Sequence, residues 1–421
     1  WFYFRIVLRI ELKEAKQVNR EALFCDGTGD YVCPAEPEIN EKVVLRFRTA
    51  HNDVDEVKLH IGEQEYPMWK TRTDGEFDFY EIEYQLGEDI LRYCFEIKQG
   101  AEICFYSRYG ITGKKENYYD FIISPGFKTP EWAKGAVMYQ IFVDRFYNGD
   151  PTNDVEDNEY IYIGAPSRKV KDWNQAPEAM DIRNFYGGDL QGVLDKLDYL
   201  QDLGVEVIYF NPLFVSPSNH KYDIQDYDYI DPHYGKIVVD DGEVLPAGAK
   251  DNIHATKYQQ RTGDIRNLEA SNQLFIKLVE EMHKRGMRVI LDGVFNHCGS
   301  FNKWMDRERI YEPQPDYPKG AYVSKESPYN SFFLFHDARN ELWPYNGTYD
   351  GWWGHDTLPK LDYEDSPQLE QYIMDIGRKW VSPPYNVDGW RLDVAADLGF
   401  SNEYNHIFWK RFRKEVKDAN P

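Results

Sequence analysis

The N-terminal part of the chain alternates apolar and polar residues with the two-residue period of a β-strand. Turn-forming pairs such as Asn52-Asp53 and Asp74-Gly75 separate the alternating segments, and no long amphipathic helix competes with them. The clearest strands are predicted at 43–47, 57–61, 77–84 and 91–97. Short strands at this spacing predict that residues 1–127 form a β-sandwich.

The pattern changes after Pro130, where continuous apolar segments begin to alternate with amphipathic helical ones. Buried strands are predicted at 137–143, 205–210, 287–294 and 387–392. Each is followed by a helix with one apolar face, and Gly286 is a natural end for the second helix. The faces consist of Leu190, Val193, Leu194, Leu197 and Leu200; Leu274, Phe275, Leu278, Val279 and Met282; Tyr372, Ile373, Ile376 and Trp380; and Ile407, Phe408, Phe412 and Val416. Such alternation predicts a parallel sheet covered on both faces.

Two long polar segments interrupt this alternation, and both follow the carboxyl end of a predicted strand. They span 231–267 and 298–362, and the second is rich in Trp, Tyr and Pro. Long loops in a compact fold are usually functional, and α/β barrels build their active sites at the carboxyl ends of the strands. We therefore expect a covered parallel sheet that begins in 128–297, is interrupted at 298–362 and continues in 363–421. The family resemblance given below implies that these parts are a barrel, a protruding domain and the continuation of the barrel.

Composition narrows the range of partners. The 421 residues contain 49 Lys and Arg against 72 Asp and Glu, a net charge of −23 that repels phosphate backbones, so nucleic-acid binding is disfavoured. No apolar run reaches the roughly 18 residues of a membrane span. The 32 Tyr and 11 Trp suit the flat faces of sugars or, equally, an aromatic core.

The cysteines and the N-terminus say little about the compartment. There are five cysteines without a C-x-x-C motif; Cys94 and Cys104 could pair across strands, but free buried thiols are favoured. The first ten residues lack the basic region and apolar core of an intact signal peptide. The compartment stays open between cytoplasm and secretion, with the cytoplasm slightly favoured.

The chemistry is concentrated at two strand ends. The third buried strand finishes D-G-V-F-N-H at 292–297 and the fourth G-W-R-L-D at 389–393. Arg391 and Asp393 are two residues apart and therefore point to the same side of the strand. A guanidinium beside a carboxylate keeps the carboxylate ionised, as a carboxylate nucleophile requires. A structural ion pair inside a barrel is the alternative.

Seven segments in this order resemble the α-amylase superfamily, glycoside hydrolase family 13, and especially its neopullulanase, cyclomaltodextrinase and maltogenic amylase branch. They lie at 139–146, 185–190, 204–212, 218–223, 292–297, 358–362 and 389–395. The resemblance implies a carbohydrate-binding-type β-sandwich followed by a (β/α)8 TIM-type barrel, of which the first four β/α units are present, with a protruding domain after strand three.

The resemblance also assigns roles to individual residues. Asp393 is expected to be the nucleophile and Arg391 its electrostatic partner. Tyr222 is expected to stack beneath the sugar at the cleavage point, with His220 close by and His297 hydrogen-bonded to the same sugar. Taken singly, a histidine at a strand end or a tyrosine in a loop is often only structural. Asp292 and Asn296 are interpreted as structural residues that anchor the protruding segment.

A separate cluster, N-G-D-P-T-N-D at 148–154, carries oxygen ligands on nearly alternate residues of a loop that contains glycine. Such a loop suits Ca²⁺, which takes about 6–8 oxygens, although an ordinary Asx-rich turn has the same composition. The resemblance implies a structural Ca²⁺ that ties two loops together. Its expected ligands are Asn148, Asp150, Asn153, Asp154, the Gly187 carbonyl and Asp189.

Two further groups of residues, three tryptophans and a short acidic run, are not assigned to the site. Trp343, Trp352 and Trp353 could line sugar subsites or form a small core for the 298–362 segment. The acidic run of Asp240, Asp241 and Glu243 is interpreted as a solvated surface.

The function expected from the resemblance is retaining hydrolysis of α-glucosidic bonds in maltodextrins, cyclodextrins or pullulan, with transglycosylation as a side reaction. The family's acid/base Glu ends the fifth strand and is expected beyond residue 421, so these residues alone should be inactive. Two alternatives stay open: a non-catalytic amylase-like binding protein or transporter partner, and an α-glucosyl transferase or isomerase of the same fold. A homodimer formed through the N-terminal module is also implied.

Overall fold

A computed structural model describes residues 17–315 and 317–421 of the chain. The N-terminal ten residues considered above as a signal peptide lie outside the described residues. By its internal contacts the chain separates into two units, one ending at Lys134 and the other beginning at Gly135. This division falls a few residues after the sandwich boundary expected from the sequence.

The N-terminal unit is built from two antiparallel sheets. Their strand orders are β1-β2-β6-β5 and β4-β3-β7-β8-β9, and β10 pairs with β7. The strands are β1 Val32–Cys33, β2 Lys42–Ala50, β3 Glu56–Ile61, β4 Gln64–Pro67, β5 Trp69–Asp74, β6 Phe77–Gln85, β7 Leu91–Gln99, β8 Glu102–Ser107, β9 Gly110–Thr112 and β10 Phe121–Ile123. The four strands predicted in this region are confirmed as β2, β3, β6 and β7.

Alternation of side chains explains how the two sheets pack. In β2, Val43, Leu45 and Phe47 are fully buried, while the residues between them are partly exposed. Phe47 of one sheet contacts Phe95 of the other, with ring centroids 4.6 Å apart. This confirms the predicted β-sandwich. All five cysteines are free, as favoured from the sequence.

The second unit contains a parallel four-stranded sheet in the order β11-β16-β19-β20. These strands are β11 Met138–Ile141, β16 Val207–Phe210, β19 Arg288–Gly293 and β20 Gly389–Leu392. They confirm the four predicted apolar strands, while a closed eight-stranded barrel is not seen among the described residues. Short strands lie between them: β12 Ile161–Tyr162, β13 Ala165–Pro166, β14 Arg168–Lys169, β15 Asn184–Phe185, β17 Phe214–Val215 and β18 Asp226–Ile230.

The predicted helices follow the strands, with two corrections and with one additional helix inside the polar segment 231–267. They are α1 Leu190–Asp195, α2 Leu197–Asp202, α3 Thr256–Gly263, α4 Ile265–Lys284, α5 Pro367–Val381 and α6 Asn402–Ala419. The single helix expected over Leu190 to Leu200 is two helices, because the backbone at Lys196 leaves the helical region with φ −104° and ψ 6°. Ile407, expected on the apolar face of α6, is 56 % exposed.

Local side chains set the helix ends. Asp189 caps α1, Asp264 caps α4, and Ser366 caps α5, each by accepting a backbone N–H of the first turn. Gly286 follows α4 with a φ of +76°, the left-handed conformation that ends a helix readily at glycine.

The segment 298–362 has little regular structure and contains three one-turn 3₁₀ helices. All such turns in the described residues are Arg20–Ala22, Asn117–Tyr119, Glu131–Ala133, Val143–Arg145, Asn330–Phe332, Asn340–Leu342, Trp352–Gly354 and Ala395–Asp397. None of the helices seen in 17–315 and 317–421 combines the length and apolar character needed to cross a bilayer.

Candidate active site

The parallel register of β19 and β20 brings the two predicted strand ends together. Asp292 and Arg391 are paired across the two strands. Nη1 of Arg391 donates to Oδ1 of Asp393 at 2.7 Å and to both oxygens of Asp292 at 3.0 and 3.1 Å. One guanidinium therefore bridges two carboxylates at the carboxyl edge of the sheet. The side chain of Asp393 is 13 % exposed, so a small part of it faces solvent.

Asp292 is the hub of this site. Its Oδ2 also accepts the hydroxyls of Tyr209 at 2.5 Å and Tyr222 at 2.9 Å. Burial raises the pKa of Asp292, against the opposite effects of Tyr209 and Arg391. Asp292 therefore has a structural role, as expected, but its carboxylate holds side chains of the site instead of anchoring the protruding segment.

Tyr209 was not recognised from the sequence. It is a half-buried residue of the apolar strand β16. A phenol in such a strand needs a hydrogen-bond partner, and that need was the one available signal. Burial, together with its hydrogen bond to Asp292, holds the pKa of Tyr209 far above its usual value.

Tyr222 and His220 lie side by side next to this hub, with ring centroids 5.9 Å apart. Nδ1 of His220 accepts the backbone N–H of Tyr222 at 3.1 Å, which leaves Nε2 to carry the proton of the neutral ring. Burial lowers the pKa of His220, and this also favours the neutral form. Burial and the neighbouring Asp292 raise the pKa of Tyr222 to about 12, so its hydroxyl stays protonated as a donor.

His297 is adjacent but enclosed, with 1 % of its surface exposed. Nε2 bonds the Tyr222 carbonyl at 3.2 Å, Nδ1 lies 3.2 Å from the Asn296 amide, and Trp352 stacks on the ring at 5.0 Å. Burial lowers the pKa of His297 to about 4, so the ring is neutral at neutral pH. Its expected contact with a sugar stays a prediction.

The three tryptophans of the protruding segment have different environments. Trp343 donates to the Ala321 carbonyl at 2.9 Å and packs on Phe335, a structural role. Trp352 connects His297 to Asp397, whose carboxylate accepts the indole N–H at 2.9 Å. Trp353 is 81 % exposed and has a left-handed φ of 52°. Trp352 and Trp353 line an open cleft of about 350 Å³ together with Asp350, Gly351, Gly354, Lys360 and Asp397.

Part of the proposed calcium cluster has the chemistry of a cation site. Among the described residues, Oδ1 of Asn148 and Oδ1 of Asn153 are buried amide oxygens with no hydrogen-bond partner. Asn148 donates to Asp154 at 2.8 Å, and a Cβ added at Gly187 would lie 2.4 Å from the Asp154 carboxylate. These residues fit a hard cation, which would occupy the two free amide oxygens.

Asp154 also forms an ion pair with Lys169 at 2.5 Å. The other two expected ligands, Asp189 and Asp150, are engaged as well. Asp189 accepts the backbone N–H groups of Gly149, Asp150 and Gly192 at 3.1, 2.7 and 2.6 Å. Asp150 bonds Lys236 at 2.5 Å. Both therefore act in this structure as hydrogen-bond anchors of the same loop.

The acidic run corresponds only in part to a solvated surface. Asp241 and Glu243 are exposed, as expected. Asp240 in addition accepts two hydrogen bonds from Arg261, both at 2.8 Å, and Arg261 is 2 % exposed. The acidic run is thus attached to α3 through a buried guanidinium.

Comparison with known proteins gives a family match for each of the two units. Residues 18–125 match the family model described as alpha amylase, N-terminal ig-like domain, and residues 140–252 and 264–418 match that of the alpha amylase catalytic domain.

Individual relatives agree with these matches. A cyclomaltodextrinase of Thermoanaerobacter pseudethanolicus is 32 % identical over 96 % of this chain and 60 % of that protein. Neopullulanase 2 of Thermoactinomyces vulgaris is 32 % identical over 95 % of this chain and 59 % of that protein. A solved cyclomaltodextrinase aligns with a TM-score of 0.53 at 29 % identity, covering 95 % of this chain and 59 % of that one. The chain thus spans about 60 % of the length of these relatives.

Proposed function

Because this chain belongs to the α-amylase family, we propose that the full-length protein is a retaining glycoside hydrolase that cleaves α-glucosidic bonds in maltodextrins, cyclodextrins or pullulan. One observation carries the proposal: Arg391 bridges Asp393 and Asp292 at the carboxyl ends of adjacent parallel strands. The similarity to proteins named cyclomaltodextrinase and neopullulanase supports the substrate class.

In the proposed reaction, Asp393 attacks the anomeric carbon and forms a covalent glycosyl-enzyme intermediate while the glycosidic C–O bond breaks and the leaving oxygen takes a proton from the acid/base group. Water, deprotonated by the same group, then attacks the anomeric carbon and releases Asp393. Arg391 keeps that carboxylate ionised and, since it is shared with the buried Asp292, holds it in one position. The transition state carries positive charge at the sugar ring, so an ionised Asp393 stabilises it more than the ground state. A sugar hydroxyl in place of water would give transglycosylation.

A retaining enzyme needs a second carboxyl group, about 5–5.5 Å from the nucleophile, as proton donor. Asp292 does not fit this role, because its oxygens already accept bonds from Arg391, Tyr209 and Tyr222. The acid/base Glu expected beyond residue 421 remains a prediction about the full-length protein.

The remaining site residues have proposed binding roles. Tyr222 would face the sugar ring, and the Nε2–H of neutral His220 would donate to a sugar hydroxyl. Trp353 offers an exposed indole beside the open cleft, where the leaving side of the substrate would stack.

A structural Ca²⁺ would be held by Asn148, Asn153, Asp154 and the Gly187 carbonyl, and it would stiffen the loop without entering the reaction. A homodimer formed through the N-terminal unit is a further proposal, tested by light scattering.

Replacement of the nucleophile tests the function directly. The full-length protein and its Asp393→Asn variant are incubated with pullulan, β-cyclodextrin and soluble starch. We expect turnover by the parent to yield the α-anomer first in NMR, and the variant to lose about 10³-fold or more in rate, since loss of a nucleophile removes its whole contribution.

Asp375→Asn, on the exposed face of α5, is the matched control and should retain the parent rate. Turnover by Asp393→Asn at the parent rate, or saccharide binding without turnover by the parent, would contradict the proposal.

A further inference from the structure

A buried cation lies between the two residues that face the sugar in the proposed function. Lys221 separates His220 from Tyr222 in the chain, and its side chain is 1 % exposed. Its Nζ donates to Oδ2 of Asp231 at 2.6 Å and to the Ser216 carbonyl at 3.1 Å. The ammonium also lies 4.4 Å from the ring centre of Tyr234. The charge is thus paired on one side and held against an aromatic face on another.

The partner of Lys221 is itself held by a second cation. The other oxygen of Asp231 lies 2.9 Å from Nδ1 of His233, and Nε2 of His233 lies 2.7 Å from Glu159. A neutral imidazole has one N–H, but here a carboxylate oxygen faces each ring nitrogen, so the geometry requires the doubly protonated ring. Burial opposes this charge, yet the two carboxylates raise the pKa of His233 overall.

Charges of opposite sign continue to alternate as far as Asp240 of the acidic run. Glu159 accepts Nη1 of Arg261 at 2.8 Å, and Arg261 on α3 bonds Asp240. Five charged side chains with relative exposures of 4 % or less therefore alternate in sign. In order they are Lys221, Asp231, His233, Glu159 and Arg261, and the whole set is called the charge chain below.

Stability alone is a poor explanation for such a chain. Removing several ions from water costs several kcal/mol each, and well-packed apolar residues are often as stabilising as a buried ion pair. What a buried ion pair supplies well is a unique geometry, because each charge has only one low-energy partner.

The geometry that the charge chain fixes is the backbone conformation at Lys221. Lys221 has a φ of 59°, a left-handed conformation that costs free energy at any residue with a side chain. In this conformation Lys221 reaches Asp231, while Tyr222 reaches Asp292 at 2.9 Å. The rings of His220 and Tyr222 then stand 5.9 Å apart at the site.

We propose that Lys221 is a positioning residue for substrate binding. Its pairing with Asp231, reinforced by the rest of the charge chain, holds the 220–222 segment in the left-handed turn that presents His220 and Tyr222 to the sugar. That Lys221 supports saccharide binding rests on the proposed function. That Lys221 fixes the position of Tyr222 does not depend on the proposed function. The charge chain also links this segment to Asp240 of the acidic run through Arg261.

The test compares the buried Lys221 with Lys303, a lysine of the same unit whose side chain is 21 % exposed. In full-length protein carrying Asp393→Asn, maltotriose binding is measured by calorimetry for Lys221→Met, Lys221→Arg and the double variant Lys221→Met/Asp231→Asn. Lys303→Met is the matched control, because Lys303 forms an ion pair with Asp226 at 2.9 Å and contacts neither His220 nor Tyr222 in the described structure. Crystal structures of the parent and of the double variant report the position of Tyr222.

We expect binding to weaken about ten- to a hundredfold in Lys221→Met and in the double variant, the range for a misplaced binding group. Lys221→Arg, which keeps the charge, should bind better than Lys221→Met, and Lys303→Met should bind like the parent. In an active background the loss should appear in KM more than in kcat. In the double variant, the Tyr222 hydroxyl should leave Asp292.

A double variant that folds, binds like the parent and keeps Tyr222 on Asp292 would overturn the inference, as would an equal loss in Lys303→Met. If the parent binds no saccharide, the proposed function fails, and the crystal structures alone then decide whether Lys221 positions Tyr222.

Discussion

At the scale of single residues, two phenols share one oxygen of Asp292. Tyr209 and Tyr222 donate to the same Oδ2, and Tyr209 makes the shorter bond at 2.5 Å. The orientation of Tyr222 thus depends on Oδ2 of Asp292, and Tyr209 and Arg391 hold that oxygen in place. Tyr209 belongs to the site although no sugar need contact it.

Tyr209→Phe should therefore lower kcat/KM about two- to tenfold in the full-length enzyme, while the free energy of unfolding changes by about 1 kcal/mol, as for one lost hydrogen bond. Initial rates on a maltodextrin and urea unfolding measure the two effects. Tyr199→Phe removes a hydroxyl from an exposed tyrosine of α2 and should change neither quantity. Parent-like kinetics in Tyr209→Phe would contradict the role given to Asp292.

His297 predicts a pH effect with a definite sign. Its pKa is about 4 in the folded chain because of burial, against about 6.5 for an unperturbed histidine. Protonation therefore favours the unfolded state, and this contribution lowers stability as pH falls from about 6.5 toward 4. The loss of stability between pH 7 and pH 5 in urea unfolding should be smaller in His297→Gln than in the parent. His336→Gln, at a largely exposed histidine, is the control and should retain the parental pH dependence.

At the scale of elements, the loop 148–154 is anchored from both ends but leaves two buried amide oxygens free. Added Ca²⁺ should raise the Tm of the parent, and a chelator should lower it, because ligand binding to the folded state stabilises it. Asn153→Ala should abolish the Ca²⁺-dependent change in Tm, whereas Asn174→Ala, in an exposed loop, should retain it. An unchanged Ca²⁺ response in Asn153→Ala would remove this residue from the ligand set.

The sequence allowed most elements to be predicted, because alternation in β2 and continuous apolar runs in β16 and β19 are local signals. It did not reveal the break at Lys196, where nothing in the apolar periodicity changes. The pair of Arg391 and Asp393 could be predicted since the two residues are neighbours on one strand. The contact of Arg261 with Glu159 could not, because 102 residues separate them and only the folded chain brings them together.

At the scale of the whole molecule, each unit has a core of its own. That of the N-terminal unit is centred on fully buried residues such as Leu45, Leu59 and Phe95. That of the second unit surrounds the parallel sheet and includes Ile208 and Val289. Separate cores indicate that the units can unfold separately.

Residues 17–134 produced alone should therefore fold and unfold cooperatively in urea, as followed by circular dichroism. Leu59→Ala should reduce the free energy of unfolding by about 2–5 kcal/mol, the usual cost of a large-to-small change in a core. Lys42→Ala, at an exposed position of β2, should have little effect. A broad, non-cooperative transition in the isolated unit would contradict this prediction.

The distribution of thiols has a practical consequence for such measurements. Cys33 is exposed, whereas Cys25, Cys94, Cys104 and Cys298 are buried in the described structure. Under native conditions a maleimide fluorophore should consequently attach at a single place on the β-sandwich. Quenching of that fluorophore by a second label introduced in the catalytic unit would let the distance between the two units be followed in solution as a glucan is added.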